Sequence, residues 1–282
     1  MKRMLFVLPV IVGACSAPQP SQAAKSMPPA VKTATGEMAL VPAGAFEMGS
    51  HTGEPDEAPA HTVHVDAFLI DRCEVTQAQF EALMHKNPSH FQQPNHPVEQ
   101  VTWADAAFYC NARSRADGLT PCYDEETGAC DFDADGYRLP TEAEWECACR
   151  AGSEASYCFG DDVARLGDYA WFGENAGKKT HPVATRKPNA FGIHDMHGNV
   201  LEWCNDVFEK GYYAESPERN PRGPADDDPA ADFVLRGGAW DMSADTLRSA
   251  YRAGDTPGQI DGCFRRDQIG FRCVRKPPAD AR

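Results

Sequence analysis

The sequence predicts an α+β domain in which much of the chain is irregular. Three observations carry that expectation. Short stretches near the start, HTVHVDAFLIDRCEV among them, alternate apolar and polar residues and read as strands. Three later segments open with a threonine followed three residues on by Gln, Asp or Glu, the signature of a capped helix. Beyond Arg150 the periodicity fades into a run rich in Gly, Asp, Asn and aromatic residues, and the chain holds 23 glycines and 22 prolines. A length of 282 residues allows one large domain or two small ones.

The first residues read as an export signal rather than as fold. Lys2 and Arg3 precede MLFVLPVIVGA, an apolar stretch too short to span a bilayer. It ends in Val-Gly-Ala-Cys, which resembles a bacterial lipobox with Cys15 as the lipidated residue after cleavage. The expectation is a signal peptide over 1–14, a Pro/Ala/Ser-rich tether over 15–37, a folded domain over 38–277 and a tail over 278–282. The chain would then sit in the bacterial cell envelope, lipid-anchored at the periplasmic or outer-membrane face. Such a compartment favours disulfides, and eleven cysteines less Cys15 leave an even number.

A formal charge of −15 argues against a nucleic-acid partner, because a duplex repels such a surface. Asp226, Asp227 and Asp228 are the densest acidic cluster and read as a solvated loop. His61 and His64 fall in a strand pattern and read as strand surface.

The helices have clear starts. Thr76 with Gln79, Thr102 with Asp105, and Thr141 with Glu144 each form a capping pair, and Gly118 stops the second helix. Glu142 and Glu144 invite an acid–base reading, but charges at a helix start explain them better. Between the second and third helices, Cys122 and Cys130 flank an acidic turn where a local disulfide is plausible. Asp131, Asp133 and Asp135 alternate there, without the closing glutamate of a twelve-residue calcium loop. The long irregular second half needs disulfides, metal ions or side-chain hydrogen bonds to hold it.

Seven motifs occur together and in order: VPAGAFEMGS, IDRCEVTQAQF, HPVEQVTWADAAFYCNA, YRLPTEAEWE, GIHDMHGNVLEW, LRGGAW and IGFRC. Together they resemble the formylglycine-generating enzyme family, the sulfatase-modifying factors, from about Met38 to Pro277. The resemblance implies one compact domain, a variant of the C-type lectin fold stabilised by calcium and disulfides. It places a Ca²⁺ site at Asp195, Gly198, Val200 and Glu202, hard oxygen donors within eight residues. A second family calcium site is not expected, because Trp171 stands where an asparagine ligand belongs. The resemblance also implies a disulfide between Cys149 and Cys273.

The family's oxidase binds Cu(I) through two thiolates that follow its Gly-Gly-Ser motif. The matching positions here are Met242 and Leu247, and no cysteine lies between Cys204 and Cys263. The preceding serine is Ala239, and a motif tryptophan is Leu201. Cu(I) selects soft thiolates, so copper is not expected. Cys204 and Cys263 flank the gap and read as bridged rather than as replacement ligands. Cys147 next to Cys149 makes a poor metal pair.

Two functions from different classes follow. One is an envelope-anchored module without the oxidase activity that binds a protein, peptide or glycan. The other is a divergent periplasmic tailoring enzyme, with Asp241, Asp245, Arg248, Tyr251, Arg252 and Asp255 as candidate groups and Asp245 with Arg252 as a candidate pair. The true oxidase is the least favoured. No nucleophile-elbow sequence surrounds Ser243 or Ser249, and His194 has no such partner.

Overall fold

The computed structural model describes residues 30–225, 231–256 and 266–278. Cys15, Asp226 to Asp228 and Cys263 therefore lie outside the described residues, as do the signal segment and most of the tether.

Among the described residues, the mixed α+β expectation is met by three small sheets and four helices. β1 (Val31–Thr33) turns into β2 (Gly36–Val41), β2 pairs with β5 (Phe68–Asp71), and β5 pairs with β10 (Val274–Arg275), all antiparallel. The two ends of the domain thus meet in one sheet. Met38 lies within β2 and faces Val31 across the turn, so the folded region starts before residue 38 and the tether boundary at 37 is corrected. The three-residue VKT strand carries no apolar pattern of its own, and its pairing with β2 makes it a strand.

β3 (Gly44–Met48) and β4 (His61–Val65) form a two-stranded ribbon. His61 and His64 sit on it as expected, His61 against the Tyr213 ring and His64 3.3 Å from Glu218. β6 (Leu201–Val207), β7 (Phe233–Arg236), β8 (Arg252–Asp255) and β9 (Ile269–Gly270) make the third sheet, in the order β8-β7-β6-β9.

All three predicted capping boxes are present, at α1 (Gln77–Met84), α2 (Trp103–Ala116) and α3 (Glu142–Arg150). A short α4 (Leu166–Tyr169) follows. Phe80 of α1 stacks on Tyr109 of α2 at 5.6 Å, and Phe271 closes the same aromatic core. A second core wraps Trp145 and Cys149 of α3 with Val63, Ile70 and Met196.

Polar side chains hold the irregular stretch between α3 and β6. Asn189 donates to the carbonyls of Ala148 and Cys149 at the end of α3 and accepts from the backbone of Phe191 and Ile193. Asn199 bonds both the N–H and the C=O of His181. Each such pair satisfies backbone groups that no ladder serves.

The nine cysteines among the described residues are free thiols. Two expected pairings are corrected. Cys149 packs against His197 and the Met196 carbonyl, whereas Cys273 lies 3.6 Å, sulfur to sulfur, from Cys110 of α2. Cys130 stands opposite Tyr123 across a β-bridge, one residue out of register with Cys122. Asp131, Asp133 and Asp135 do not converge either. Asp131 caps the amide of Asp133, Asp133 meets Lys276, and Asp135 accepts from the amide of Thr120.

Candidate functional site

The segment after β7 starts with two glycines in the left-handed region, Gly237 at φ 98° and Gly238 at φ 74°. A Cβ on Gly238 would meet the Leu247 side chain at 2.6 Å, so the turn needs that glycine. Beyond it, Ala239 and Trp240 are buried, and Trp240 is pinned by the Asn199 and Asp267 carbonyls. A 3₁₀ turn over Ala244–Leu247 then drives Leu247 inward.

Leu247 is fully buried among Tyr157, Leu166, Ala170 and Phe172, with Met242 packed against the same cluster. Its carbonyl accepts from His197 Nδ1 at 2.8 Å, while His197 Nε2 accepts from the amide of Cys158 at 3.1 Å. Both imidazole nitrogens are committed, so His197 acts as a strut for the turn. Ala239 and Leu201 lie in the first core. Where the family resemblance calls for two thiolates, the side chains are an apolar plug. The residues present do not fit copper.

Around the plug, two of the expected candidates, Arg248 and Arg252, are tied into ion pairs. Arg252 makes two 2.8 Å bonds to Glu142 of α3, so the supposed Asp245–Arg252 pair is corrected. Arg248 makes a bidentate pair with buried Glu57. Arg236 bonds Glu146 and donates to the carbonyls of Ser249, Ala250 and Tyr251. Asp241 accepts from Gln268. Ser243 precedes the 3₁₀ turn without a side-chain cap bond, Ser249 is buried, and His194 Nδ1 meets the Arg186 carbonyl. Burial pushes the Tyr251 hydroxyl above its usual range, with Asp56, Glu54 and Glu57 adding to the shift. Cys204 is buried, and burial raises its thiol far above the ordinary range.

A cleft of about 440 Å³ opens beside this segment, lined by Ser50, Thr52, Arg150, Ser156, Asp161 and Arg248 among others. Its walls come from the β3–β4 connection, the end of α3 and the chain after the 3₁₀ turn. Hydroxyls and fixed charges of both signs suit hydrogen-bonded capture of a polar ligand.

For calcium, the expected four-residue set fits only in part. Asp195 is buried, with φ 60°, and its Oδ2 accepts from Ala184 at 2.6 Å while Oδ1 has no partner. Glu202 already accepts three hydrogen bonds. Arg272 donates twice to it at 2.6 Å, and Trp145 Nε1 donates at 2.8 Å. Gly198 and Val200 are buried in the same turn, and a Cβ on Gly198 would strike the Trp171 carbonyl at 2.3 Å. Trp171, which stands at the place of a family calcium ligand, stacks on His181 at 3.7 Å and carries Arg186 on its ring at 3.6 Å.

One unusual acid escaped the sequence reading. Glu99 is buried, with Oε1 accepting from the Phe91 amide and Phe91 lying edge-on against Trp240. Burial raises its pKa to about 7 against the pull of the Phe91 and His90 amides, and Asp267 adds to the rise. Nothing in HPVEQV marks it, because the burial comes from distant chain. Since its folded pKa lies above the usual value, its contribution is fully present below about pH 4.5 and is lost as pH rises through about 7. Glu99→Gln should therefore flatten the stability profile between those values. At pH 8 the variant should be about 2–3 kcal/mol more stable than the parent, as read by urea unfolding.

The family model described as "Sulfatase-modifying factor enzyme 1-like domain" matches residues 23–277. A chaperone protein LppX from Paenibacillus barcinonensis is 33% identical over 277 residues, covering 86% of this chain and 90% of that protein. The formylglycine-generating enzyme of Streptomyces coelicolor is 30% identical over 331 residues, covering 93% and 96%. Among solved structures, Treponema denticola variable protein 1 superposes with a TM-score of 0.79 at 33% identity, covering 88% of this chain and 99% of that one. The chain belongs to the sulfatase-modifying factor enzyme 1-like family.

Proposed function

We propose that this protein is an envelope-anchored accessory module that binds a polypeptide partner and does not perform copper-dependent oxidation. The observation that carries the reading is the plug: Leu247 and Met242 pack with Tyr157, Leu166 and Phe172 where the resemblance expects a thiolate pair. Restoring one thiol would not rebuild the site, because Leu247 is fully buried. The polar cleft next to the plug is the candidate docking place. A relative that carries the name chaperone supports a protein as the partner over a glycan. Anchoring rests on the lipobox-like sequence at Cys15.

Anaerobic Cu(I) titration of the purified protein tests the first half. The expected result is no stoichiometric copper and no conversion of a cysteine-containing sulfatase peptide to the aldehyde. One copper per chain with turnover would overturn the reading. For the second half, Ser156→Trp should fill the cleft and abolish binding to peptides that the parent captures from an array, with the fold unchanged by circular dichroism. Retained binding would move the docking place elsewhere.

A further inference from the structure

The two outer edges of the β3–β4 ribbon differ. On β4, the N–H of His64 donates to the Glu218 carbonyl at 2.7 Å, and its C=O accepts from the Asn220 amide at 2.8 Å. His64 thus turns both backbone groups away from β3. Ala45, which stands opposite it, must turn both away from β4, and Glu47 opposite Thr62 does the same two residues on. Gly49 continues the row, but its N–H donates to Glu146 and its C=O accepts from Arg150. The four backbone groups of Ala45 and Glu47 bond nothing among the described residues, and both residues are exposed. Such an edge is a template for another chain.

Beside it runs a groove of about 210 Å³, walled by Pro42 to Glu47, by the end of α3 and by Phe191. Phe46, Cys147 and Phe191 are half-buried there against the second core. The rim is acidic. Glu47 and Glu154 are exposed, whereas the Arg150 guanidinium is committed to Glu146, Gly49 and Ala155. The exposed His51 imidazole stands 3.9 Å from Glu47. Glu47, Arg150 and Glu154 also line the polar cleft, so groove and cleft adjoin. A second copy of this edge would bring two acidic rims together, which disfavours self-pairing.

We propose that the β3 edge takes an extended segment of a partner polypeptide as an added strand, one in which apolar and basic residues alternate. The proposal rests on the polypeptide-partner reading and gives that partner a chemistry. Successive side chains of an added strand point to opposite faces. Those on the Phe46 face enter the groove, and those on the other face stand beside Glu47. Pairing with Ala45 and Glu47 supplies affinity, and the alternation supplies selection.

The test uses the purified full chain, with the peptide Ac-Thr-Lys-Phe-Lys-Val-Lys-Thr-NH₂ as the probe in calorimetry. The parent should bind it. N-methylation of every second residue, in at least one of the two phases, should abolish binding. Ala45→Pro removes one edge donor at a place where a strand tolerates proline. It should keep the parent's melting temperature and weaken binding at least about tenfold. Glu47→Lys should weaken it too, and should admit the peptide with glutamate in place of lysine. Should Ala45→Pro fail to fold, the methylated peptides carry the same readout. Binding that survives Ala45→Pro and methylation in both phases would overturn the edge, while leaving a polypeptide partner standing. No binding of the probe up to millimolar concentration, with other array peptides still captured, would overturn the alternating chemistry. No capture of any peptide would overturn the polypeptide reading as well. A parent dimer that Ala45→Pro dissolves would overturn the proposal in favour of self-pairing.

Discussion

Replacing Arg236 by methionine is expected to cost the fold about 3–5 kcal/mol, the usual penalty for breaking a buried ion pair from one side. Arg236 is 0% exposed and bonds Glu146, which is equally buried and would be left with Arg150 alone as its ion-pair partner. It also removes the donors for three consecutive carbonyls, those of Ser249, Ala250 and Tyr251. The chain that follows the plug is therefore expected to loosen first, with faster amide exchange from 247 to 252 than elsewhere. Urea unfolding reads the total. The pair has a pH signature as well. Burial alone would raise the Glu146 pKa, but Arg236 and Arg150 pull it below the usual glutamate value. Its stabilisation is therefore present above the unfolded glutamate pKa and is lost as pH falls through the lower folded value.

In protein recovered from an oxidising compartment, Cys110 and Cys273 are expected to be joined. Their sulfurs are 3.6 Å apart, both residues are fully buried, and the bond would close a separation of 163 residues. In the chain-entropy model a loop of that size is worth roughly 5 kcal/mol, less any strain. Burial and the neighbouring Cys273 thiol raise the Cys110 pKa far above its ordinary range, so the folded Cys110 thiol is a poor nucleophile. Oxidation therefore belongs to folding, before the core of α1 and α2 closes. Non-reducing peptide mapping should recover the Cys110–Cys273 link, and Cys273→Ser should lower stability by about 2–5 kcal/mol in the oxidised protein. Full alkylation of both thiols in protein denatured straight from the envelope would contradict the expectation.

What was legible in the sequence was what is local. Thr76, Thr102 and Thr141 announce their helices because cap and partner lie three residues apart. The plug was half legible, since Met242 and Leu247 are visible as residues but their sealing by Tyr157, Leu166 and Phe172 is not. Long-range partnerships were not legible. Arg252 finds Glu142 across 110 positions and Arg272 finds Glu202 across 70. The same limit explains the cysteines: a helix cysteine two turns before a stop and one in the next helix look alike until packing selects Cys110 for Cys273.

The stack on Trp171 has a consequence for how this molecule can be watched. Four of its five tryptophans, Trp103, Trp145, Trp203 and Trp240, are at most 8% exposed, while Trp171 is half-buried. Its indole lies flat between an imidazole and a guanidinium, and its Nε1 donates to Thr185. Burial and the charge of Lys179 keep that imidazole more acidic than a free histidine. An indole in such a sandwich responds in colour and brightness when either face is uncovered. The protein thus carries a native optical probe at the edge of its irregular half, able to report the opening of that segment without a label.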